Sequence, residues 1–284
     1  MEMFNFSSAE SKRINRALEF IGTKEVELKP LLAKVLLVKT ENYIDECEQL
    51  DAYFARLGLE DGSARLAFNT SADGMHKILV NKEAIVDLSY IYSVVSQIVH
   101  LGNLDQFNRE YGNIYRMEAD QAIADYYYEF LLWSRFQAMK IATRAHALIS
   151  WHEVNGDEPP QDGKYQFSQV DFPVEPVGDC LYQLVQAGGI GAWREGFWEL
   201  LGEMASYFGR LAFYQQEANP AAIDARFPAE PIDETIGLEN ALLLYGALQV
   251  SRDYVSWKEM RENIRRSVVA MQDFGKQKFE QKGA

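Results

Sequence analysis

Between Asp87 and His100 the chain reads DLSYIYSVVSQIVH, and its last five residues stand two substitutions away from a metal-binding helix. With Ser96→His and Gln97→Glu they would read HExxH, which sets two imidazoles one helical turn apart on a zinc ion and a carboxylate beside them as general base. The chain keeps only His100 of that set. Gln97 cannot take up a proton near neutral pH, and Ser96 stands where the first ligand would be. The residues therefore describe a site that lacks both a ligand and its base.

Other chemistry-bearing residues are explained by simpler roles. His146 and His152, with Glu153 after the second, lie six residues apart, which puts the rings on different faces of a helix, and a histidine near a helix C-terminus is already favoured by the dipole. His76 lies beside a turn and is expected to be exposed. The AGGIGAW stretch from Ala187 to Trp193 has neither the lysine nor the glycine order of a phosphate loop and predicts a glycine-broken helix junction. Consecutive tyrosines 126–128 point in different directions on a helix, and the short basic run RENIRR is expected to be a solvated face, with docking of an acidic partner as the alternative. Cys47 and Cys180 have no CxxC spacing or neighbouring histidine and are expected to be buried small hydrophobes rather than nucleophiles or a disulfide.

The elements that must position SQIVH follow from capping and periodicity. Ser7 or Ser8 with Glu10 has capping-box spacing, and Ile14, Ala17, Leu18 and Ile21 continue a helix that should end at Gly22. Val35 to Val38 suit a buried strand, although Leu31 to Val38 would also suit a helix; a helix from Tyr43 to Leu57 should follow and stop at Gly58. ARLAF and HKILVN, separated by NTSADG, predict a β-hairpin. Asp87 can then cap a helix burying Ile91, Val94, Val95, Ile98 and Val99, with Gly102 and Asn103 ending it. From Tyr115 to about Ser150 there is neither Gly nor Pro, so one long amphipathic helix or two abutting ones is expected. Residues 155–178 hold four of the eight prolines and predict a linker; four helical segments come after it, and the tail GKQKFEQKGA should fray.

This order of helix, strand, hairpin and motif helix, with LLWSRFQAM on the next long helix, resembles the zincin-like metallopeptidases. In that family a strand such as ILVN precedes the HExxH helix, and a later helix carries W-S-E-F/Y-x-A, whose glutamate is the third zinc ligand. Trp133, Ser134, Phe136 and Ala138 match that pattern, while Arg135 stands at the ligand position. A guanidinium that is always charged repels the dication it would have to hold. The resemblance implies a vestigial site of Ser96, Gln97, His100 and Arg135, in which Arg135 takes the cation's place and hydrogen bonds Gln97 or a carboxylate such as Glu118.

Composition sets the outer bounds. The 284 residues suffice for two domains with a sizeable core, and a formal charge of −14 disfavours nucleic acid and anionic lipid. No leader pattern or membrane-spanning apolar run is present, so a cytoplasmic protein is expected. The expected architecture is α+β and predominantly helical: a zincin-like domain with a small antiparallel sheet over 1–154, the linker, and a helical domain over 179–284. The expected function is that of an inactive peptidase homologue without metal or cofactor, binding a peptide or protein; nothing in the pattern bears on its oligomeric state. Two alternatives stay open: a metalloenzyme with a site rebuilt from His100 and carboxylates such as Glu118 or Asp120, and a helical interaction protein unrelated to peptidases.

Overall fold

The capping box forms as its spacing requires: Ser7 N–H donates to the Glu10 carboxylate at 2.7 Å and Glu10 N–H to Ser7 Oγ at 3.3 Å, opening helix α1 (Ser8–Gly22). The computed structural model describes residues 1–22, 28–49, 63–69, 74–85, 87–112, 121–167, 175–217 and 228–282. Two compact units emerge, Met1–Asp125 with Ile141–Ser168 and Tyr126–Lys140 with Gln169–Ala284. The later junction between the units, at 168–169, falls within the expected linker of 155–178, while residues 126–140 group with the second unit.

The first unit holds a four-stranded sheet in the order β1-β2-β4-β3, made of β1 (Glu2–Phe4), β2 (Val35–Thr40), β3 (Ala64–Ala67) and β4 (His76–Asn81). The predicted hairpin is there, with Leu66 opposite Ile78, but β2 pairs in parallel with both β1 and β4, so the sheet is mixed and not antiparallel. One parallel pair is made by a short first strand, and the other joins β2 to β4, which are not consecutive in the chain. β4 lies inside the sheet, and Ile78, Leu79 and Val80 are all buried, which explains a continuous apolar run without alternation. Helix α2 (Leu28–Leu32) precedes β2, and α3 (Tyr43–Gln49) follows it; the remainder of the helix expected to Leu57 lies outside the described residues, as does most of the NTSADG turn.

Helix α4 (Tyr90–Tyr111) packs on β3, β4 and α1. It runs through Gly102 and Asn103 instead of ending there, and terminates at Gly112, whose φ of 83° suits a residue without Cβ. Gly102 has a packing role: a Cβ at that position would stand 2.9 Å from Leu28 Cδ2. Asp87 lies two residues before the N-cap, Ser89, and accepts Ser89 N–H at 2.6 Å. The long helix α5 (Gln121–Asn155) is continuous, and its 141–155 part is held to α1 by a bidentate Arg13–Glu153 pair at 2.8 and 3.0 Å.

The second unit is helical throughout its described residues: the 126–140 part of α5, then α6 (Glu175–Val185), α7 (Ile190–Glu217), α8 (Ala229–Thr235), α9 (Leu238–Val250) and α10 (Tyr254–Lys282). Helix α6 starts inside the stretch expected to be a linker, with Pro176 in its first turn where a missing N–H costs nothing. The AGGIGAW stretch is the junction before α7, and the described tail stays helical to Lys282 instead of fraying. Trp133, Phe136, Trp193, Phe197, Phe208 and Trp257 fill this core. Close approach is fixed at Gly209, where a Cβ would stand 2.4 Å from the Phe136 carbonyl oxygen. Among the described residues, no helix is long and apolar enough to cross a membrane.

Candidate functional site

Helix α4 is buried nearly all round, and that decides what its polar residues do. Ser96, Gln97 and His100 are 2%, 1% and 4% exposed, alongside the expected core positions Ile91, Val94, Val95, Ile98 and Val99. A buried polar group must find a partner. Ser96 Oγ donates back to the Ser93 carbonyl at 3.0 Å, a bond within its own helix. Gln97 reaches the sheet: its Oε1 accepts Leu66 N–H at 3.1 Å.

The topology explains why Leu66 N–H is available. In the β3–β4 register, Ala64, Leu66, Val80 and Ile78 form alternate pairs, and β3 is the last strand of the sheet. Asn81 N–H donates to the Ser63 carbonyl at 2.9 Å, which makes 63–81 a hydrogen-bonded pair and turns Leu66 N–H, three residues along, to the open edge. The residue at the general-base position of the resembled motif therefore satisfies an edge-strand donor and ties α4 to β3. An amide oxygen does this at neutral charge, whereas a carboxylate there would bury a charge.

Ser96, Gln97 and His100 share α4 in the first unit, while Arg135 lies on the part of α5 that belongs to the second. Arg135 is partly buried, and its Nη1 is 3.9 Å from Glu203 Oε1 on α7. Gly202 gives the guanidinium room, since a Cβ there would stand 2.9 Å from Nη1. Glu203 was not singled out in the sequence; the glycine before it was the available signal. Glu118 and Asp120 lie outside the described residues.

The WSRFQA segment has a packing role in its own unit. Trp133 Nε1 donates to the Ser251 carbonyl at 2.8 Å, and Gln137 Nε2 donates to the same oxygen at 2.5 Å. Ser251 caps the C-terminus of α9, where carbonyls lose their helical donors, so two side chains from α5 satisfy a buried orphan.

The remaining histidines sit in aromatic settings. His76 is buried, contrary to expectation: its ring stacks on Phe68 at 4.7 Å, and its Nδ1 accepts Asn69 N–H at 3.1 Å. Burial, with the Lys34 charge as a lesser cause, pushes its pKa down to about 4. His146 stacks on Tyr92 at 4.2 Å, and burial likewise lowers it to about 4 against an opposing pull from Asp87. His152 stacks on Phe20, donates from Nδ1 to the Gly156 carbonyl at 2.7 Å, and meets Tyr165 Oη at 3.3 Å through Nε2. Cys47 is buried as expected, whereas Cys180 is half-buried; burial, then Glu203, Glu199 and Asp179, raises its thiol to about 11, which keeps it protonated at neutral pH. Among the described residues, no three His, Cys, Asp or Glu side chains gather closely enough to hold a metal ion.

No family model matches the chain, and no curated protein or solved structure is significantly similar to it.

Proposed function

We infer that this protein is a catalytically inactive relative of the zincin-like metallopeptidases that works by binding a peptide or protein. The observation that carries this reading is the Gln97–Leu66 hydrogen bond. The side chain at the base position is buried and engaged with the sheet, where it can neither take a proton nor activate water. The Ser96 hydroxyl, turned to its own helix, and the Arg135–Glu203 pair support the same reading, because two of the three positions that would ligate zinc in the family hold other residues with other partners here. A chain that lacks the base and two of the three ligands retains binding as the activity its surface can support.

Two measurements test this. Metal analysis of the purified chain should find no stoichiometric zinc. Stoichiometric zinc in the natural chain, lost on His100→Ala, would instead establish a rebuilt metal site. Selection from a displayed peptide library tests the binding half. Enrichment of one consistent sequence is expected, and none above blank support would sink it.

A further inference from the structure

Along one face of α1, Ser8, Ser11, Lys12, Asn15, Arg16 and Glu19 recur at helical spacing and line a groove of about 730 Å³, with Phe6 and Asp157 completing its walls. All eight residues belong to the first unit. Asp157 enters from the segment that follows α5, and it sits on Arg16: Nη1 donates to the carboxylate at 2.5 Å and Nη2 to the Asp157 carbonyl at 3.2 Å. The guanidinium is braced from below, 5.8 Å from the centre of the Phe20 ring, which stacks on His152. The side chain of Arg16 is 22% exposed and that of Asp157 72%. The cation is built into the fold, whereas the carboxylate on it lies largely in solvent. Arg16, with Lys12 adding to its pull, holds the Asp157 carboxyl below the ordinary carboxylate range, so both cations act on one spot.

Resting on the peptide-binding reading above, we propose that this groove takes an extended peptide through an acidic residue seated on Arg16 and Lys12, and that Asp157 fills that seat as an internal stand-in which the peptide displaces. A carboxylate already on the guanidinium shows which chemistry the cradle accepts, since the planar fork matches a carboxylate better than other anions of its size. An exposed ion pair contributes little, so exchanging one carboxylate for another costs little and the rest of the groove decides affinity. The Ser8 and Ser11 hydroxyls and the Asn15 amide supply donors and acceptors to a peptide backbone. From Ser8 to Glu19 the helix rises about 16 Å at ~1.5 Å per residue, the length of about five extended residues. Phe6 offers an apolar contact before Ser8, and Glu19 a partner for a basic side chain at the other end. With Asp157 displaced, Lys12 and Arg16 face Glu19 alone within the groove, which suits one negative charge and disfavours a doubly charged phosphate. The neighbouring carboxylate, Glu153, is taken by Arg13.

Selection of displayed peptides on the full chain, followed by fluorescence anisotropy of a labelled winner, tests this. Winners should share an Asp or Glu at one position, and its change to Asn or Gln should weaken binding by about ten-fold or more. Arg16→Gln should weaken binding to the same extent, whereas Asp157→Asn should tighten it, because the competing carboxylate is gone. A pair that only braces the fold would move both variants in the same direction. Far-ultraviolet circular dichroism verifies the folds, and should Arg16→Gln unfold, Lys12→Gln at an exposed position takes its place and should likewise weaken binding. Winners without a shared acidic residue, binding indifferent to Arg16→Gln and Lys12→Gln, or an Asp157→Asn variant that binds no tighter than the natural chain would overturn this site and leave peptide binding itself intact. The absence of any consistent winner would sink both.

Discussion

At the scale of single residues, the polar side chains of α4 are structural members of a buried helix. Gln97→Ala removes the acceptor of a buried backbone N–H and should cost about 1–3 kcal/mol, read from the urea midpoint. The histidines give a pH dependence. His76 and His146 are held neutral to about pH 4 in the fold, against an ordinary value of 6.5, so between these values the unfolded chain binds more protons. Their contribution to stability is full above pH 6.5 and is lost as pH falls towards 4. His146→Phe keeps a ring against Tyr92 without the titration, and its urea midpoint should therefore fall less than that of the natural chain between about pH 7 and pH 4.5. An equal fall in both would show that His146 does not titrate as described. The sequence identified these histidines but could not tell their surroundings: His76 borders a turn in the chain, yet it pairs with β2 at Val35 and is enclosed.

At the scale of elements, glycines in helices separate packing from propensity. Gly209→Ala would drive a Cβ into the Phe136 carbonyl and should cost about 1–3 kcal/mol or more, because backbone cannot step aside as a side-chain end can. Gly246→Ala meets open space and should stabilise the isolated chain by roughly 0.5–1 kcal/mol through helix propensity. Thermal unfolding of the two variants, measured at low protein concentration, should move in opposite directions. Both glycines look alike in sequence, each inside an apolar helical run. The ends of α1 and the hairpin were legible because a capping box and a turn-rich segment are local chemistry. The run of α4 through Gly102 was not, since its reason is Leu28, more than seventy residues earlier in the chain.

At the scale of the whole molecule, α5 is shared: residues 126–140 belong to one unit and 141–155 to the other. A fragment beginning at residue 169 lacks Trp133 and Gln137, the two donors to the Ser251 carbonyl, together with the Phe136 side chain of the core. It should unfold without cooperativity and show weak near-ultraviolet circular dichroism, whereas a fragment beginning at residue 121 should unfold in a sharp transition. Cooperative unfolding of the shorter piece would show that the second unit does not need α5. The proline-rich stretch 155–178 contains the later junction between the units, whereas the exchanges at 125–126 and 140–141 fall inside a continuous helix and depend on which surfaces bury one another.

By itself the sequence determined the predominantly helical α+β character, the hairpin, the capping box and the absence of an intact HExxH set, all of which depend on residue types and spacing over a few turns. Tertiary structure alone decided that the sheet is mixed, that Gln97 serves Leu66, that Arg135 pairs with Glu203 and that Trp133 and Gln137 close the end of α9. Each of these joins groups from distant parts of the chain, and the requirement that buried polar atoms be satisfied says that a partner must exist without saying which one. SQIVH could be recognised as a motif missing its ligands; what its glutamine does instead was set by the orientation of one N–H on an edge strand.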